Sequence, residues 1–331
     1  MSDDEVLFSQ TGALGRITLN RPKAINSLTT GMCAAILAQL RIWADDDSIG
    51  AVAVTGNGER GLCAGGDVKA LRQQMVDGGG TASLGFWETE YAMNSAIANF
   101  EKPYLAVMHG ATMGGGLGVS AHGSHRLVTA TSKLAMPETI IGFFPDVGML
   151  KLLADAPGEY GTHLAMTGTT VDGAQGIAAG LADGLLDPAD ADAVESLLHK
   201  VSEDPSTLKS LPGAGPAELP TWIDECYTGD DAAAIVERLK AHGDPAAAEA
   251  ADQIEARSPF SVAVTLAAIR RAAGATVDEV LAQDLQLCRH FRSEPDFAEG
   301  VRCQLVDRGD TPQWRHRSLA DVDPAEVAAL F

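Results

Sequence analysis

Two glycine-rich segments are the first places in the chain where residue type and spacing could support chemistry. CAGGD (residues 63–67) and GGGLG (residues 114–118) each follow an apolar run and open a predicted helix. Glycine lets a backbone approach a ligand closely, and the free N–H groups at the start of a helix attract negative charge. Two such loops could direct two backbone N–H groups at one oxyanion, as acyl and enolate chemistry requires.

Each glycine segment also has other interpretations. CAGGD is compatible with a tight strand-to-helix turn that Asp67 caps, and the glycines of GGGLG could serve packing alone. Gly116, Gly118 and Ala121 also match the dinucleotide fingerprint G-x-G-x-x-A, and Glu138 follows about twenty residues later. The segment HGATM disfavours this fingerprint, because it separates the glycines from the preceding predicted strand. A dinucleotide-dependent oxidoreductase therefore remains a distant alternative.

Two carboxylates occur in one apolar segment, MPETIIGFFPDVG (residues 136–148). Glu138 and Asp146 lie there among proline, glycine and large apolar residues. Such surroundings raise the pKa of a carboxyl group and suit general acid/base or nucleophilic catalysis. Either residue alone could instead cap a helix. Their occurrence in one loop favours a catalytic role.

The charge balance limits the partners of this protein. The formal net charge is -21, which opposes encounter with nucleic acid or an anionic membrane, so neither is expected as a partner. A polyanionic ligand would need a local basic site. Lys23, Lys69 and Arg72 flank the glycine segments and are the candidates for contacts with phosphate groups.

The elements that must position these residues alternate between strand and helix in the first part of the chain. A hairpin is predicted around Gly12 and Gly15, a helix capped by Thr29 or Thr30, and a buried strand over 51–56. Helices are predicted from Asp67 and over 83–99. Short strands follow around 125–135. This alternation indicates an α/β fold.

Strand signals fade beyond about residue 186. The chain beyond this point is rich in Ala and Asp and contains a candidate linker over 204–220. A separate flexible break is predicted in the first part of the chain, at Gly78–Gly80. A capping box at Thr276–Glu279 opens a strong C-terminal helix. We therefore predict an α/β core over 1–200 and a helical C-terminal region over 201–331.

Composition is that of a packed globular protein. With 46% hydrophobic and 21% charged residues, the chain is neither disordered nor fibrous. Its five cysteines are an odd number without a C-x-x-C pair, so neither a disulfide framework nor a zinc site is indicated. The first residues lack an export signal, and no long apolar run follows. We expect a cytoplasmic protein.

Four segments, in this order, resemble successive motifs of the crotonase (enoyl-CoA hydratase/isomerase) superfamily: ITLNRPKAINSL, GLCAGGDVKAL, KPYLAVMHGATMGGGLG and MPETIIGFFPDVG. The resemblance covers essentially the whole chain. Within the superfamily the sequence is most similar to the 3-hydroxyisobutyryl-CoA hydrolases, because of CAGGD, PDVG after MPE, and the tail DFAEGVRCQLVDRGDTPQW. The resemblance implies a crotonase-like spiral of ββα units with a helical C-terminal part.

The resemblance also implies roles for individual residues. The amides that hold a thioester carbonyl match Gly66 and Gly115, and the backbone position near the adenine of coenzyme A matches Ala64. Substrate-contacting carboxylates match three acidic residues: Glu90, Glu138 and Asp146. No metal and no redox cofactor is implied, since coenzyme A enters as part of the substrate. A homo-oligomer is left open.

One departure separates branches of the superfamily. Enoyl-CoA hydratases use two glutamates to position and activate water, and the first of these positions is Gly118 here. The expected activity is therefore hydrolysis of a short 3-hydroxyacyl-CoA thioester, with 3-hydroxyisobutyryl-CoA in valine catabolism as the substrate that the resemblance implies. Hydratase or isomerase activity is the alternative, and a non-catalytic acyl-CoA-binding protein is a further one.

Overall fold

The structure is a computed structural model that describes residues 4–78, 81–186, 192–211 and 219–331. Contacts between residues divide the chain into two units, each assembled from three segments. We call them the sheet unit (Met1–Gly66, Thr89–Ala135 and Val171–Ala217) and the helical unit (Asp67–Glu88, Met136–Thr170 and Glu218–Phe331). The boundary expected at residue 200 stays a prediction.

All strands of the described residues belong to the sheet unit. They are β1 (Val6–Thr11), β2 (Leu14–Leu19), β3 (Ala51–Gly56), β4 (Tyr104–Met108), β5 (Ala111–Met113), β6 (His125–Val128), β7 (Lys133–Ala135), β8 (Val171–Asp172) and β9 (Gly184–Leu185). The helices of the same unit are α1 (Thr30–Ala44), α4 (Gly115–Gly118), α7 (Gly173–Ala178) and α8 (Ala193–Glu203).

The helical unit contains the remaining helices. They are α2 (Val68–Gly78), α5 (Met149–Ala154), α6 (Tyr160–Thr167), α9 (Thr221–Cys226), α10 (Ala232–Ala241), α11 (Pro245–Glu255), α12 (Pro259–Ala272), α13 (Val277–Phe291), α14 (Pro295–Val301) and α15 (Pro324–Ala328). Helix α3 (Thr81–Ala98) contributes residues to both units. No helix among the residues described is both long and apolar enough to cross a membrane.

The main sheet has six strands in the order β1-β2-β3-β4-β6-β9. β1 and β2 form the predicted hairpin, and every other neighbouring pair in this sheet is parallel. β4 is buried along its whole length and β3 over all but its last residue, as expected for strands that are apolar on both faces. Parallel neighbours bring the loops after β3 and β4 to one edge of the sheet; the first leads into CAGGD, and the second leads through β5 into GGGLG.

One face of this sheet packs under α8. Alternate residues Ala51 and Ala53 of β3 join Leu197, Leu198 and Val201 of α8 in one buried cluster. Each large aliphatic side chain buried in this way adds roughly 1.5–3 kcal/mol to the free energy of unfolding. The intervening residues of β3 point to the opposite face because side chains alternate along a strand.

The helical unit is organised around α12. This helix begins after Ser258, whose hydroxyl accepts the Ser261 N–H, and it packs against α5, α6, α10 and α15. The predicted capping box at Thr276 is present, because Thr276 and Glu279 exchange side-chain and backbone hydrogen bonds at the start of α13. The local sequence signal therefore located the start of α13 correctly.

Most predicted elements are present, and some predictions fall on residues outside the described ranges. The cap at Thr29 and the helix that begins at Val68 agree with the sequence. Gly79, Gly80 and residues 212–218 of the candidate linker lie outside the described residues. The five cysteines are buried and free.

Candidate active site

The two glycine segments meet in the sheet unit through backbone pairing. Cys63 N–H donates to the Ala111 carbonyl (3.2 Å), and Met113 N–H donates to the Cys63 carbonyl (3.0 Å). A β-carbon at Gly116 would overlap the Cys63 carbonyl oxygen, so this close approach requires glycine. The CAGGD loop is thereby held along β5, directly before GGGLG.

The amides of Gly66 and Gly115 lie close together. The Gly66 nitrogen is 3.3 Å from the place that a β-carbon of Gly115 would occupy. Neither amide donates a hydrogen bond to another described residue. Gly115 is the first residue of α4, where an N–H group has no partner within the helix. Two neighbouring backbone donors are the groups that an oxyanion hole requires.

The Glu90 carboxylate of α3 lies beside these amides. A β-carbon at Gly115 would overlap Oε1 of Glu90, which is itself 2% exposed. Burial raises the pKa of the Cys33 thiol well above its usual value, and the nearby Glu90 charge raises it further. Burial likewise raises the pKa of Cys63 to about 12 against the lowering effect of the Gly65 N–H. Both thiols therefore stay protonated beside Glu90.

Ala64 is exposed on the CAGGD loop, and its N–H donates to the Ile25 carbonyl (2.9 Å). The neighbouring Asn26, fully buried, was missed by the sequence analysis. Its Nδ2 donates to the carbonyls of Asn57 and Leu62, both at 3.0 Å. Asn26 has a positive φ of 53°, which Asn tolerates better than most residues. The Asn in NRPKAINSL was the available signal, but partners more than thirty positions away cannot be inferred from it.

The dinucleotide interpretation meets a different local structure from the one assumed. The segment HGATM separates the predicted strand, β4, from the glycines as expected, but it also contains a further strand, β5, which ends directly before Gly114. The following helix α4 has only four residues. A dinucleotide site needs a longer helix whose N-terminus faces the pyrophosphate, so the fingerprint lacks its structural context here.

In the helical unit, Glu138 begins a short 3₁₀ helix, Glu138–Ile141, and is 7% exposed. This helix ends at Gly142, which has φ of 70°. A β-carbon added at this position would overlap the Asp296 carbonyl oxygen. Phe143 follows and stacks on Trp87 with ring centroids 5.4 Å apart. Glu138 therefore belongs to a segment whose position is fixed by close packing.

Asp146, also in the helical unit, is 6% exposed and belongs to a turn with two left-handed residues. Val147 has φ of 53° and Gly148 has φ of 75°. The Gly148 N–H donates to Oδ2 of Asp284 (2.8 Å), a fully buried residue of α13 that the sequence analysis did not identify. Burial raises the pKa of Asp284 well above its usual value, and the charge of Asp146 raises it further.

The three candidate basic residues differ in their surroundings. Lys23 is exposed on a short 3₁₀ helix of the sheet unit (Pro22–Ala24). In the helical unit, Lys69 is exposed on α2, whereas the Nε of Arg72 donates to the Ala298 carbonyl (2.9 Å). Lys69 is therefore the less constrained of the two cations on α2. Contacts of all three with phosphate groups stay predictions.

Comparison with known proteins places this geometry in a family. Residues 14–331 match a family described as enoyl-CoA hydratase/isomerase. A Rattus norvegicus protein named 3-hydroxyisobutyryl-CoA hydrolase, mitochondrial, is 36% identical over 348 residues, with 99% of this chain and 88% of the relative covered. The Homo sapiens protein of that name is 34% identical, with the same shares covered.

Solved structures agree in fold. A carnitinyl-CoA dehydratase from Mycobacterium thermoresistibile has a TM-score of 0.92 and 44% identity, covering 99% of this chain and 96% of that one. An enoyl-CoA hydratase from Rhodobacter sphaeroides has a TM-score of 0.91 and 37% identity, covering 99% and 97%. The predicted crotonase-like α/β fold with a helical C-terminal part is thus confirmed, and the chain belongs to the enoyl-CoA hydratase/isomerase family of the crotonase superfamily.

Proposed function

We propose that this enzyme hydrolyses the coenzyme A thioester of a short branched 3-hydroxy acid, with 3-hydroxyisobutyryl-CoA as its substrate in valine catabolism. The observation that carries the proposal is the pair of neighbouring amides at Gly66 and Gly115, neither of which donates to another described residue, with the Glu90 carboxylate beside them. Position 118 of α4, where a hydratase would carry its first glutamate, is a glycine and offers no carboxylate. The relatives named as 3-hydroxyisobutyryl-CoA hydrolases support the same assignment.

The proposed chemistry starts at the thioester carbonyl. Glu138, or a water molecule that it activates, attacks the carbonyl carbon and places negative charge on the oxygen. The Gly66 and Gly115 N–H groups stabilise that charge. One such donor contributes about 2.7–4 kcal/mol in acyl-transfer enzymes. Collapse of the adduct breaks the C–S bond and releases coenzyme A as the thiol. Water supplies the oxygen of the acid product and the two protons that balance the reaction.

Two carboxylates have separate roles in this scheme. Glu138 acts as the nucleophile or as the base that activates water, and Asp146 accepts a hydrogen bond from the 3-hydroxyl group or assists proton transfer. Both are almost fully buried. A buried carboxylate is a stronger base than an exposed one, because loss of solvation raises its proton affinity.

Hydration or dehydration of an acyl-CoA is the second candidate, because two similar solved structures are named as a dehydratase and a hydratase. Those enzymes of the superfamily that add water across a double bond are expected to need two glutamates. The sheet unit offers Glu90 from α3 but no carboxylate at position 118. Hydrolysis needs no carboxylate at that position.

One assay decides between the two activities. 3-Hydroxyisobutyryl-CoA and crotonyl-CoA are assayed in parallel for thiol release and for loss of enoyl absorbance, with the Glu138→Gln variant as the control for background hydrolysis. We expect thiol release from the hydroxyacyl substrate and little hydration of crotonyl-CoA. A hydration rate equal to or above the thiol-release rate would overturn the proposal.

A further inference from the structure

The turn that carries Asp146 is held in a costly conformation. Val147 is β-branched and sits at φ of 53°, in the left-handed region that such residues rarely adopt. Strained residues of this kind persist only where the surrounding structure over-determines them, and they concentrate at functional sites. Gly148 follows at φ of 75° and is the residue directly before α5, so two consecutive residues after Asp146 are left-handed.

The buried side chain of Asp284 contacts the backbone of this turn. Its Oδ2 accepts the Gly148 N–H at 2.8 Å, and the residue is 0% exposed. Asp284 itself lies on a well-anchored helix. The neighbouring Gln283 donates from Nε2 to the Ala268 carbonyl of α12 (3.2 Å), and Phe291 packs on Phe144 with ring centroids 5.1 Å apart.

Burial and the Asp146 charge raise the pKa of Asp284, and the Gly148 N–H acts in the opposite direction. Of the groups on the elements that pack against α13, Lys151 of α5 pairs with Asp155, and Arg270 of α12 pairs with Glu159 (2.7 Å). The charge that acts on Asp284 comes from another carboxylate, that of Asp146, and it opposes ionisation together with burial. Two neighbouring carboxyl groups in a poorly solvated place do not both ionise readily, and deeper burial favours the protonated form.

We propose that Asp284 is a positioning residue: as a neutral carboxylic acid it holds the Asp146 turn through the Gly148 amide and leaves the negative charge of the pair on Asp146. This inference rests on the proposed function, in which Asp146 contacts the substrate. An ionised Asp284 would instead repel Asp146 and favour its protonation. Position 284 therefore determines both where Asp146 lies and which of the two carboxyl groups is charged.

Two substitutions at one site separate these effects. Asp284→Asn keeps an oxygen that can accept the Gly148 N–H and has no charge at any pH. Asp284→Leu keeps the number and branching of the side-chain heavy atoms but removes the acceptor. We expect Asp284→Asn to retain kcat/KM within about threefold and to leave its pH profile unchanged. In Asp284→Leu we expect a loss of at least about tenfold in kcat, because a displaced catalytic group loses rate steeply with distance, while KM changes little.

A double variant tests whether the effect passes through Asp146. Against an Asp146→Asn background, Asp284→Leu should cost no further rate, since residues that act as one unit are not additive. Circular dichroism and the thermal midpoint establish folding. If the leucine variant does not fold, the pH profile of Asp284→Asn still decides the question, because a displaced acid limb would show that Asp284 is ionised in the native enzyme.

The outcomes distinguish this inference from the proposed function. If Asp146→Asn retains full thiol-release activity, the role given to Asp146 in the proposed function is wrong. If Asp146→Asn loses activity while Asp284→Leu is folded and fully active, Asp284 is not a positioning residue. If Asp284→Leu lowers kcat by the same factor in the Asp146→Asn background as in the wild-type protein, the inference is likewise overturned.

Discussion

The Glu90 carboxylate lies against the α-carbon of Gly115, so that a β-carbon at position 115 would overlap Oε1 of Glu90. The same β-carbon would come within 3.3 Å of the Gly66 nitrogen. Glycine at 115 therefore leaves room for two amides and a carboxylate in one small space. This arrangement is the most direct structural support for acyl chemistry in the sheet unit.

Replacement of Gly115 by alanine should abolish most activity. The added methyl group displaces either Glu90 or one of the two amides, and loss of one oxyanion donor costs about 10²–10³ in kcat. Steady-state thiol release measures the effect. Gly85→Ala is the matched control, because a β-carbon there meets no atom within 4 Å and alanine in a helix should stabilise the fold by about 0.5–1 kcal/mol. Wild-type kcat in a folded Gly115→Ala protein would contradict the oxyanion assignment.

Replacement of Glu138 by glutamine should preserve coenzyme A binding and remove most turnover. The shape is retained while the basic oxygen is lost, and acid/base catalysis is worth about 10²–10⁴ in rate. Isothermal titration with coenzyme A and single-turnover thiol release give the two quantities. Unchanged turnover in a folded variant would show that Glu138 serves only to begin the 3₁₀ helix.

Replacement of Asp146 by asparagine should lower kcat/KM by different factors for substrates with and without a 3-hydroxyl group. If Asp146 accepts a hydrogen bond from the 3-hydroxyl group, kcat/KM should fall more for 3-hydroxyisobutyryl-CoA than for isobutyryl-CoA, by about tenfold or more. The comparison needs both thioesters in both proteins. An equal loss for the two substrates would assign Asp146 to proton transfer or to the structure of its turn.

Coenzyme A affinity should decrease with salt, because a lysine binds phosphate as a point charge. Lys69 is exposed and carries no ion pair among the described residues, so Lys69→Ala should weaken binding roughly two- to fivefold at low salt. Lys200→Ala, at an exposed lysine of α8 that the family resemblance does not place at the ligand, is the control. Salt-independent affinity and no effect of Lys69→Ala would rule out this contact.

His163 should make the protein sensitive to acid. Burial lowers the pKa of His163 to about 4, and its Nδ1 lies 2.8 Å from the Tyr227 hydroxyl. Between the unfolded pKa of about 6.5 and the folded value, the unfolded chain binds the additional proton. The free energy of unfolding should therefore fall by about 3 kcal/mol as the pH decreases through this interval.

Urea unfolding at several pH values measures this dependence. His163→Gln should flatten it, because glutamine does not titrate, whereas His199→Gln, at an exposed histidine, should leave it unchanged. An equally steep decrease of stability in the His163→Gln protein would show that other groups cause the acid sensitivity.

Local patterns in the sequence determined much of the fold. The apolar run over 51–56 and the one in KPYLAVMHG became buried strands. Of the two expected candidates Thr29 caps α1, and Thr276 caps α13 as expected. These signals act over a few residues, through side-chain alternation and nearby hydrogen bonds, so they can be recognised without knowledge of the fold. The ordered motifs likewise sufficed to indicate the superfamily.

Only the tertiary structure decided how distant residues meet. Glu90 reaches Gly115 from α3, and Asp284 reaches Gly148 across 136 positions of the chain. Such contacts depend on how helices and strands pack in space, and no local spacing rule encodes that packing. Glu138 and Asp146 could be named from sequence because their own surroundings are apolar, whereas Glu90 was indicated only by the family resemblance. The residues that hold them could not, since an isolated Asp in a helix resembles any solvated acidic residue until its burial is known.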